Sequence, residues 1–396
     1  MSETLSKVPV YEPDLFSREA LKDPFPHYRQ IRDLGPLVYL SSARMYALSR
    51  FDDVKVALRS ADRLVSSKGN SLNDVANGMA KDSTRPGVII SDGEMHQHLR
   101  APLVRQMAPG AIKENRARFK EMISEQVASL KGGQTFDGVD ALAKHLPLAA
   151  VSHLLGLPEE GRQNMLRWAA ATFNIMGQNV EHFQEDMMTA LEGFQYLEDI
   201  DRKSLVPGSW AATLFELMDE GKLTEPEARG LMGDFMIPSL DTTIFAKGNL
   251  LYNLGKNPDQ WQMIKSDPSL IPSAVLESVR HSAVVRWFSR YAETDYTEGD
   301  VHLPKGERVA IMYGSANRDE RHYPDPDSFK ADRNPRDQLG WGHGPHVCAG
   351  MHLARLEMEV LLEALVEQVE TIEVFDATTG ANQGLFGFES VSMALN

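Results

Sequence analysis

The stretch GWGHGPHVCAGMHLAR, Gly340 to Arg355, holds the one cysteine of a 396-residue chain and sets it among four glycines, a proline and three histidines. Gly342 and Gly344 open backbone conformations closed to residues with a Cβ, and Pro345 stiffens the loop that leads to the sulfur. Directly after Gly350 comes MHLARLEMEVLLEALVEQV, a strongly helical run, so Cys348 falls at a helix N-terminus. Unpaired N–H groups and the positive end of the helix dipole favour a thiolate there, which predicts a lowered thiol pKa and a sulfur suited to binding metal.

One thiolate cannot build a zinc or iron–sulfur site, which needs several ligands at close spacing, but it can serve alone as the axial ligand of a haem iron. A lone cysteine taken by itself is more often a small buried hydrophobe. The glycines framing Cys348 argue for the ligand.

The rest of the composition limits the alternatives. With 42% hydrophobic and 24% charged residues, the chain has the balance of a water-soluble globular protein. A single cysteine excludes an internal disulfide framework and fits a reducing compartment. The start, MSETLSKVPVYEPDLF, lacks an apolar core of signal-peptide length, and no apolar run reaches the ~18 residues of a membrane span. The expected location is cytoplasmic, with no membrane partner. A net charge of −15 repels a phosphate backbone, so no nucleic-acid partner is expected and a small substrate is favoured.

No repeat or low-complexity linker divides the chain, which predicts a single domain over residues 1–396. PLVYL and MYALSR read as strands around a turn at Ser41–Arg44. Ala111 to Leu130, Pro158 to Met176, Val180 to Asp201, Thr224 to Leu254 and Met351 to Val369 are long helical candidates, separated by breakers such as Gly132–Gly133 and Pro207–Gly208. Short β signals stand at VHLP and RVAIMYG, with a further candidate in the tail. The expected fold class is mainly α with small β-sheets.

Trp341, Gly344, Cys348 and Gly350 have the spacing of the aromatic, glycine, cysteine and glycine in the signature of the cytochrome P-450 family, which this sequence resembles from about Pro24 to its C-terminus. Trp341 stands where the family usually has Phe. The resemblance implies the cytochrome P-450 fold and haem b (iron protoporphyrin IX), with Cys348 as the axial thiolate and metal ligand. It also implies that Glu277 and Arg280, in ESVR, close a structural triad with Arg333, in FKADRNP. His96 and Arg100 of MHQHLR, Arg290 of RWFSR and His346 would hold the haem propionates, whose burial demands cationic or hydrogen-bonding partners.

Asp241 and Thr242, within MIPSLDTTIFAKG, match the family's acid–alcohol pair. Activation of dioxygen consumes two protons, which a hydroxyl and an ordered water can carry from a carboxylate. The family mostly has a small residue and Gly where this chain has Pro238 and Ser239. Pro238 removes a helical hydrogen bond and crowds the Asp234 carbonyl, so a kink is expected there, with the Ser239 hydroxyl in the resulting groove.

By the same resemblance the substrate pocket is lined from Lys68 to Ile90, around Phe173 and Met176, along Gly233 to Thr242, by Val284 to Phe288 and by Leu385. Phe173, Val285, Phe288 and Leu385 suit a small flat molecule. SSKGNSL, FNIMG and GSANRD look most like the bacterial branch that oxidises para-substituted benzoates. Lys68 would hold a carboxylate as a point charge; Asp234 would repel one and suits a phenol hydroxyl or another neutral donor.

These features imply a monooxygenase that hydroxylates or O-dealkylates a small aromatic substrate with O2. Two electrons would come from a separate ferredoxin and ferredoxin reductase, since the sequence shows no fused flavin or iron–sulfur domain. A haem-thiolate sensor or ligand-binding protein shares Cys348 and the propionate partners but has no need of Asp241 and Thr242. A terpenoid or other non-aromatic substrate is a further alternative.

Overall fold

The computed structural model describes residues 8–82, 85–158, 161–178 and 181–396. Val38–Leu40 and Met45–Leu48 pair antiparallel, and Arg44, at φ 51°, closes their turn with its N–H on the Ser41 carbonyl at 3.3 Å. The hairpin continues into a six-stranded sheet in the order Val10–Tyr11, Val38–Leu40, Met45–Leu48, Arg308–Ile311, Phe288–Ala292, Leu64–Val65. Tyr46 lies opposite Val309 in a parallel pairing, so the sheet joins segments from both halves of the chain. Val301–Leu303 pairs with Tyr296–Glu298, and in the tail Ile372–Thr379 pairs with Phe388–Leu395.

The helical body is more finely divided than the sequence pattern suggests. Ala111 to Leu130 resolves into Pro109–Lys113 and Arg116–Leu130, and Pro158 to Met176 into the 3-10 turn Arg162–Asn164 and the helix Met165–Ile175. Val180 to Asp201 is represented by Phe183–Asp199, with Glu159, Glu160, Asn179 and Val180 outside the described residues. The pattern does not single out His145–Leu155. Its sequence, HLPLAAVSHLL, is apolar nearly all round and buries Leu146, Ala150, Val151, Leu154 and Leu155, so no polar face marks its period.

The expected helix from Thr224 to Leu254 is two helices. Thr224 starts the first with a capping box: its hydroxyl accepts the Glu227 N–H, and the Glu227 carboxylate accepts the Thr224 N–H at 2.7 Å. The helix runs from Glu225–Ser239, breaks at Leu240 (φ −88°, ψ −76°) and resumes as Asp241–Lys256. Pro238 accounts for the break. It offers no N–H to the Asp234 carbonyl, and its ring crowds the preceding turn.

The Met351–Gln368 helix is buried on most sides through Leu353, Met358, Val360, Leu361, Leu362 and Leu365, and it packs on Arg116–Leu130. It also meets Asp241–Lys256 across a pair that the local sequence pattern does not mark. Lys247 Nζ and Glu357 Oε2 stand 3.6 Å apart, both enclosed, and neither atom has a hydrogen-bond partner among the described residues. Burial pulls Lys247 down to about 8 and pushes Glu357 up to about 7, each partly countered by the other.

A second buried charge cluster ties the Ile271–His281 helix to the loops that follow the sheet. Glu277 accepts Arg280 Nε and Nη2 at 2.7 and 2.8 Å, Arg333 Nε at 3.1 Å and the Lys330 N–H at 2.9 Å. Arg280 Nη1 donates to the carbonyls of Asn317 and Pro326, and Arg333 to those of Pro324 and Asp325. Glu277 and Arg280 have no exposed side-chain surface, so neither charge has water to fall back on. Glu277→Gln keeps the shape but strands two guanidiniums. It should lower stability by about 3–5 kcal/mol, read as a fall in the denaturation midpoint; an unchanged midpoint would show that the carboxylate carries no such load.

Candidate active site

The Cys348 loop is shaped by its glycines. Gly342 and Gly344 both have φ 72°, and a Cβ on Gly344 would lie 2.3 Å from the Leu58 carbonyl oxygen. The Cys348 N–H bonds the Trp341 carbonyl at 2.8 Å, closing the loop just ahead of the Met351–Gln368 helix. Trp341 and Ala349 pack against the main core. The thiol sits at the helix N-terminus and receives the N–H groups of Gly350 and Met351. It is enclosed by the surrounding chain yet keeps accessible surface.

The expected drop in the thiol pKa is not what this environment produces. Burial pushes the Cys348 thiol up from 9.0, and that effect outweighs the opposite pull of the two N–H groups and of Arg100. The protein packed around the sulfur outweighs the helix N-terminus in setting that direction.

His96 and Arg100 lie one turn apart on Gly93–Gln106, and the His96 and His346 rings approach to 4.3 Å between centroids. Nε2 of His96 is buried without a hydrogen-bond partner among the described residues. Burial, reinforced by His346 and Arg100, brings His96 down to about 4. Arg100 Nη2 donates to the Val347 carbonyl at 2.5 Å, next to the cysteine. Asp92 accepts the Ser66 and Ser67 N–H groups at 2.9 and 2.7 Å and faces His346 Nε2 at 3.4 Å, so it links the start of the predicted pocket wall to the cysteine loop. Sequence reasoning missed Asp92, although an Asp one residue ahead of a helix is a recognisable N-terminal signal.

A cavity of about 610 Å³ is bordered by His96, Arg100, His346, Asp92 and Val104. Arg290 is buried nearby in the sheet, its Nη1 on the Ser289 carbonyl at 2.8 Å, and it acts electrostatically on His346. Two guanidiniums and two imidazoles, one with an orphaned ring nitrogen, against one carboxylate suit a buried group with two anionic arms. Among the described residues no group of three or more His, Cys, Asp or Glu forms a metal cluster. A haem whose metal needs only one protein sulfur fits this donor set.

On the other side of the helix break, Thr242 Oγ1 donates to the Pro238 carbonyl at 2.5 Å. Ser239 Oγ donates to the Phe235 carbonyl at 2.6 Å, so its hydroxyl proton is engaged with its own helix rather than free in a groove. Asp241 is buried, with Oδ2 unpartnered among the described residues, and burial pushes it up to about 7 against the pull of Lys144. It borders a separate cavity of about 540 Å³ that also touches Lys144, Asn174 and Asn382.

Of the predicted pocket residues, Phe173, Leu385, Met176 and Val285 come together in one apolar cluster with Val284, Phe245 and Ala246. Val285 and Leu385 are joined by a β-bridge. Phe288 lies outside that cluster: it meets Tyr313 edge-on at 6.1 Å and packs on the sheet-side core. Phe245 and Ala246 were absent from the sequence prediction, yet at three and four residues past Thr242 they share its helix face. Asp234 Oδ2 accepts the Val88 N–H at 2.6 Å, and burial pushes its carboxyl up to about 7. Lys68 is half-buried, its carbonyl accepts from Arg308, and its ammonium has no hydrogen bond or ion pair among the described residues. Residues 83–84 of the predicted 68–90 wall lie outside the described residues.

The model of the family described as Cytochrome P450 matches residues 208–374. Cytochrome p450 CYP199A2 from Rhodopseudomonas palustris is 32% identical over 392 residues, covering 98% of this chain and 95% of its own. A β-dihydromenaquinone-9 ω-hydroxylase from Mycobacterium tuberculosis is 29% identical over 93% of this chain and 76% of its own. Among solved structures, P450BioI in complex with an acylated acyl carrier protein superposes with a TM-score of 0.86 at 23% identity, covering 96% of this chain and 100% of that one, which bears on the fold alone. The chain belongs to the cytochrome P450 family of haem-thiolate monooxygenases. Its class is that of oxidoreductases carrying haem b on a cysteine sulfur, in a mainly α fold with small sheets. Among the described residues no helix is long and apolar enough to cross a membrane.

Proposed function

We propose that Cys348 is the axial thiolate, that His96, Arg100, Arg290 and His346 hold the propionates, and that the enzyme hydroxylates or O-dealkylates a small aromatic substrate. The observation that carries this reading is the juxtaposition of an accessible sulfur, flanked by the Gly350 and Met351 N–H groups, with the guanidinium of Arg100 and the paired His96 and His346 rings. Bound haem supplies the activation of dioxygen with two electrons. The electrons would come from a ferredoxin and its reductase, in a cytoplasmic setting.

The polypeptide's part is positioning and proton supply. Asp241, near 7, exchanges its proton at neutral pH, and it borders the cavity that Lys144 also lines. Thr242 Oγ1 rests on the Pro238 carbonyl and passes a proton inward by rotating away from it. The cluster of Phe173, Leu385, Val285 and Phe245 excludes water and orients a flat ring. Lys68 and Asp234 offer opposite polar anchors. Their charges decide between a benzoate and a phenol, and the likeness of SSKGNSL and FNIMG to the benzoate-oxidising branch supports the former.

Cys348→Ser should lose the thiolate signature of the reduced carbon-monoxide spectrum even where haem is retained; an unaltered spectrum would remove Cys348 from the ligand role. Thr242→Ala should still bind substrate and accept electrons while diverting reducing equivalents to hydrogen peroxide. Product formed per NADH equal to that of the parent would show that the hydroxyl is not on the proton path.

For the substrate anchor, the matched pair is a para-methoxybenzoate and the corresponding phenol. Lys68→Ala should weaken the benzoate by about 1.5–3 kcal/mol and leave the phenol nearly unchanged. Because the Asp234 carboxyl is raised to about 7, it is mostly neutral at pH 6 and charged at pH 8. Benzoate affinity should therefore fall as pH rises through 7, phenol affinity should rise, and Asp234→Asn should flatten both slopes. Spin-shift titrations across that range check it, and parallel slopes for both ligands would take Asp234 out of the pocket.

A further inference from the structure

The chain is strongly acidic, with a formal charge of −15, yet one surface basin is basic. It has a volume of about 730 Å³ and lies between the Arg116–Leu130 helix, one face of the His145–Leu155 helix and Arg162. Arg118, Lys144, His145, His153 and Arg162 face it, against a single described carboxylate, Asp140. Asp140 is already bound to Lys144 at 3.0 Å. Arg118, on the rim, has no hydrogen-bond or ion-pair partner among the described residues. Arg162 donates Nη2 to the Leu157 carbonyl at 2.5 Å, and its Nε is buried with no acceptor. Among the described residues the donors therefore outnumber the acceptors, in a concave space large enough for a small molecule. Ser152 adds a hydroxyl, and Leu148, Ala149 and Val206 supply an apolar floor.

We propose that this basin binds a small, multiply charged oxyanion, a phosphate ester or a polycarboxylate, at a site distinct from the haem and substrate pockets. Guanidiniums grip such groups through charge-assisted, often bidentate hydrogen bonds, and a buried Nε without an acceptor gains most from one. The two imidazoles add a proton linkage. His145 is held below its ordinary range by burial and then by Lys247, and His153 by burial and then by Arg118. An arriving anion opposes the electrostatic part of both shifts, so binding draws in protons and tightens as pH falls toward the ordinary imidazole range. The groups that set this dependence are Arg118, Asp140, Lys144, His145, His153 and Arg162 around the basin, with Lys247 and its partner Glu357 behind His145.

The test is calorimetric titration of the haem-loaded protein with pyrophosphate and with citrate, at fixed ionic strength set by chloride. Saturable binding of either is expected, with proton uptake visible as a dependence of the heat on buffer ionisation. Arg118→Gln, on the exposed rim, should weaken it about tenfold, and Ala149→Glu, which places a carboxylate on the floor, should abolish it. Preference for pyrophosphate assigns a phosphoryl ligand, and preference for citrate a carboxylate one. Binding that both substitutions leave unchanged, or heats that chloride reproduces, would overturn the proposal.

Discussion

The carboxylate of Glu277 holds more of this protein together than its place in a helix suggests. It pairs with two guanidiniums, and through them it ties down carbonyls of Asn317, Asp325, Pro326 and Ser328. Asn317 then accepts the Leu339 N–H through Oδ1 at 2.8 Å. One residue later, Gly340 presses so close to the Ile271–His281 helix that a Cβ there would come within 2.8 Å of Val279. The cysteine loop thus leaves the Glu277 cluster with its register set by hydrogen bonds and by contact. A buried carboxylate is expensive to maintain on desolvation grounds, and its return here is a defined position for the sulfur rather than bulk stability.

The distal side follows a different logic. Pro238 breaks the long helix, and the carbonyls around the break become acceptors for Thr242 and Ser239. Both hydroxyls rest on protein oxygen with their lone pairs unspent. Asp241, at the first position after the break, is too enclosed to be a permanent anion. A helix distortion, two hydroxyls and a carboxyl that exchanges near neutrality thus stand within four residues of a proline that leaves the Asp234 carbonyl without its helical N–H.

Features written into local chain geometry were legible from sequence. Gly342 and Gly344 announce positive φ, the run after Gly350 announces a helix, and Thr224 with Glu227 announces its start. Pro238 announced a distortion, although the break itself falls two residues on, at Leu240. The meeting of Glu277, Arg280 and Arg333 could be stated only through family resemblance, because a local pattern cannot say which distant arginine returns to a buried acid. The desolvation around the thiol was not legible, because dipole and capping effects are local while desolvation depends on everything packed around the sulfur. Lys247 and Glu357 were missed for the same reason: each looks like a solvated residue on its own helix, and only tertiary packing removes the water from both.

That last pair has a historical consequence. Either residue alone, facing a hydrophobic replacement, leaves a charge sealed between the Asp241–Lys256 and Met351–Gln368 helices, whereas two apolar side chains of similar size would pack there without penalty. The apolar and ionic solutions are both acceptable and the intermediates between them are not. Descendants of this chain are therefore confined to the ionic solution unless both codons change nearly together, so positions 247 and 357 should drift as one unit while the surface around them varies freely.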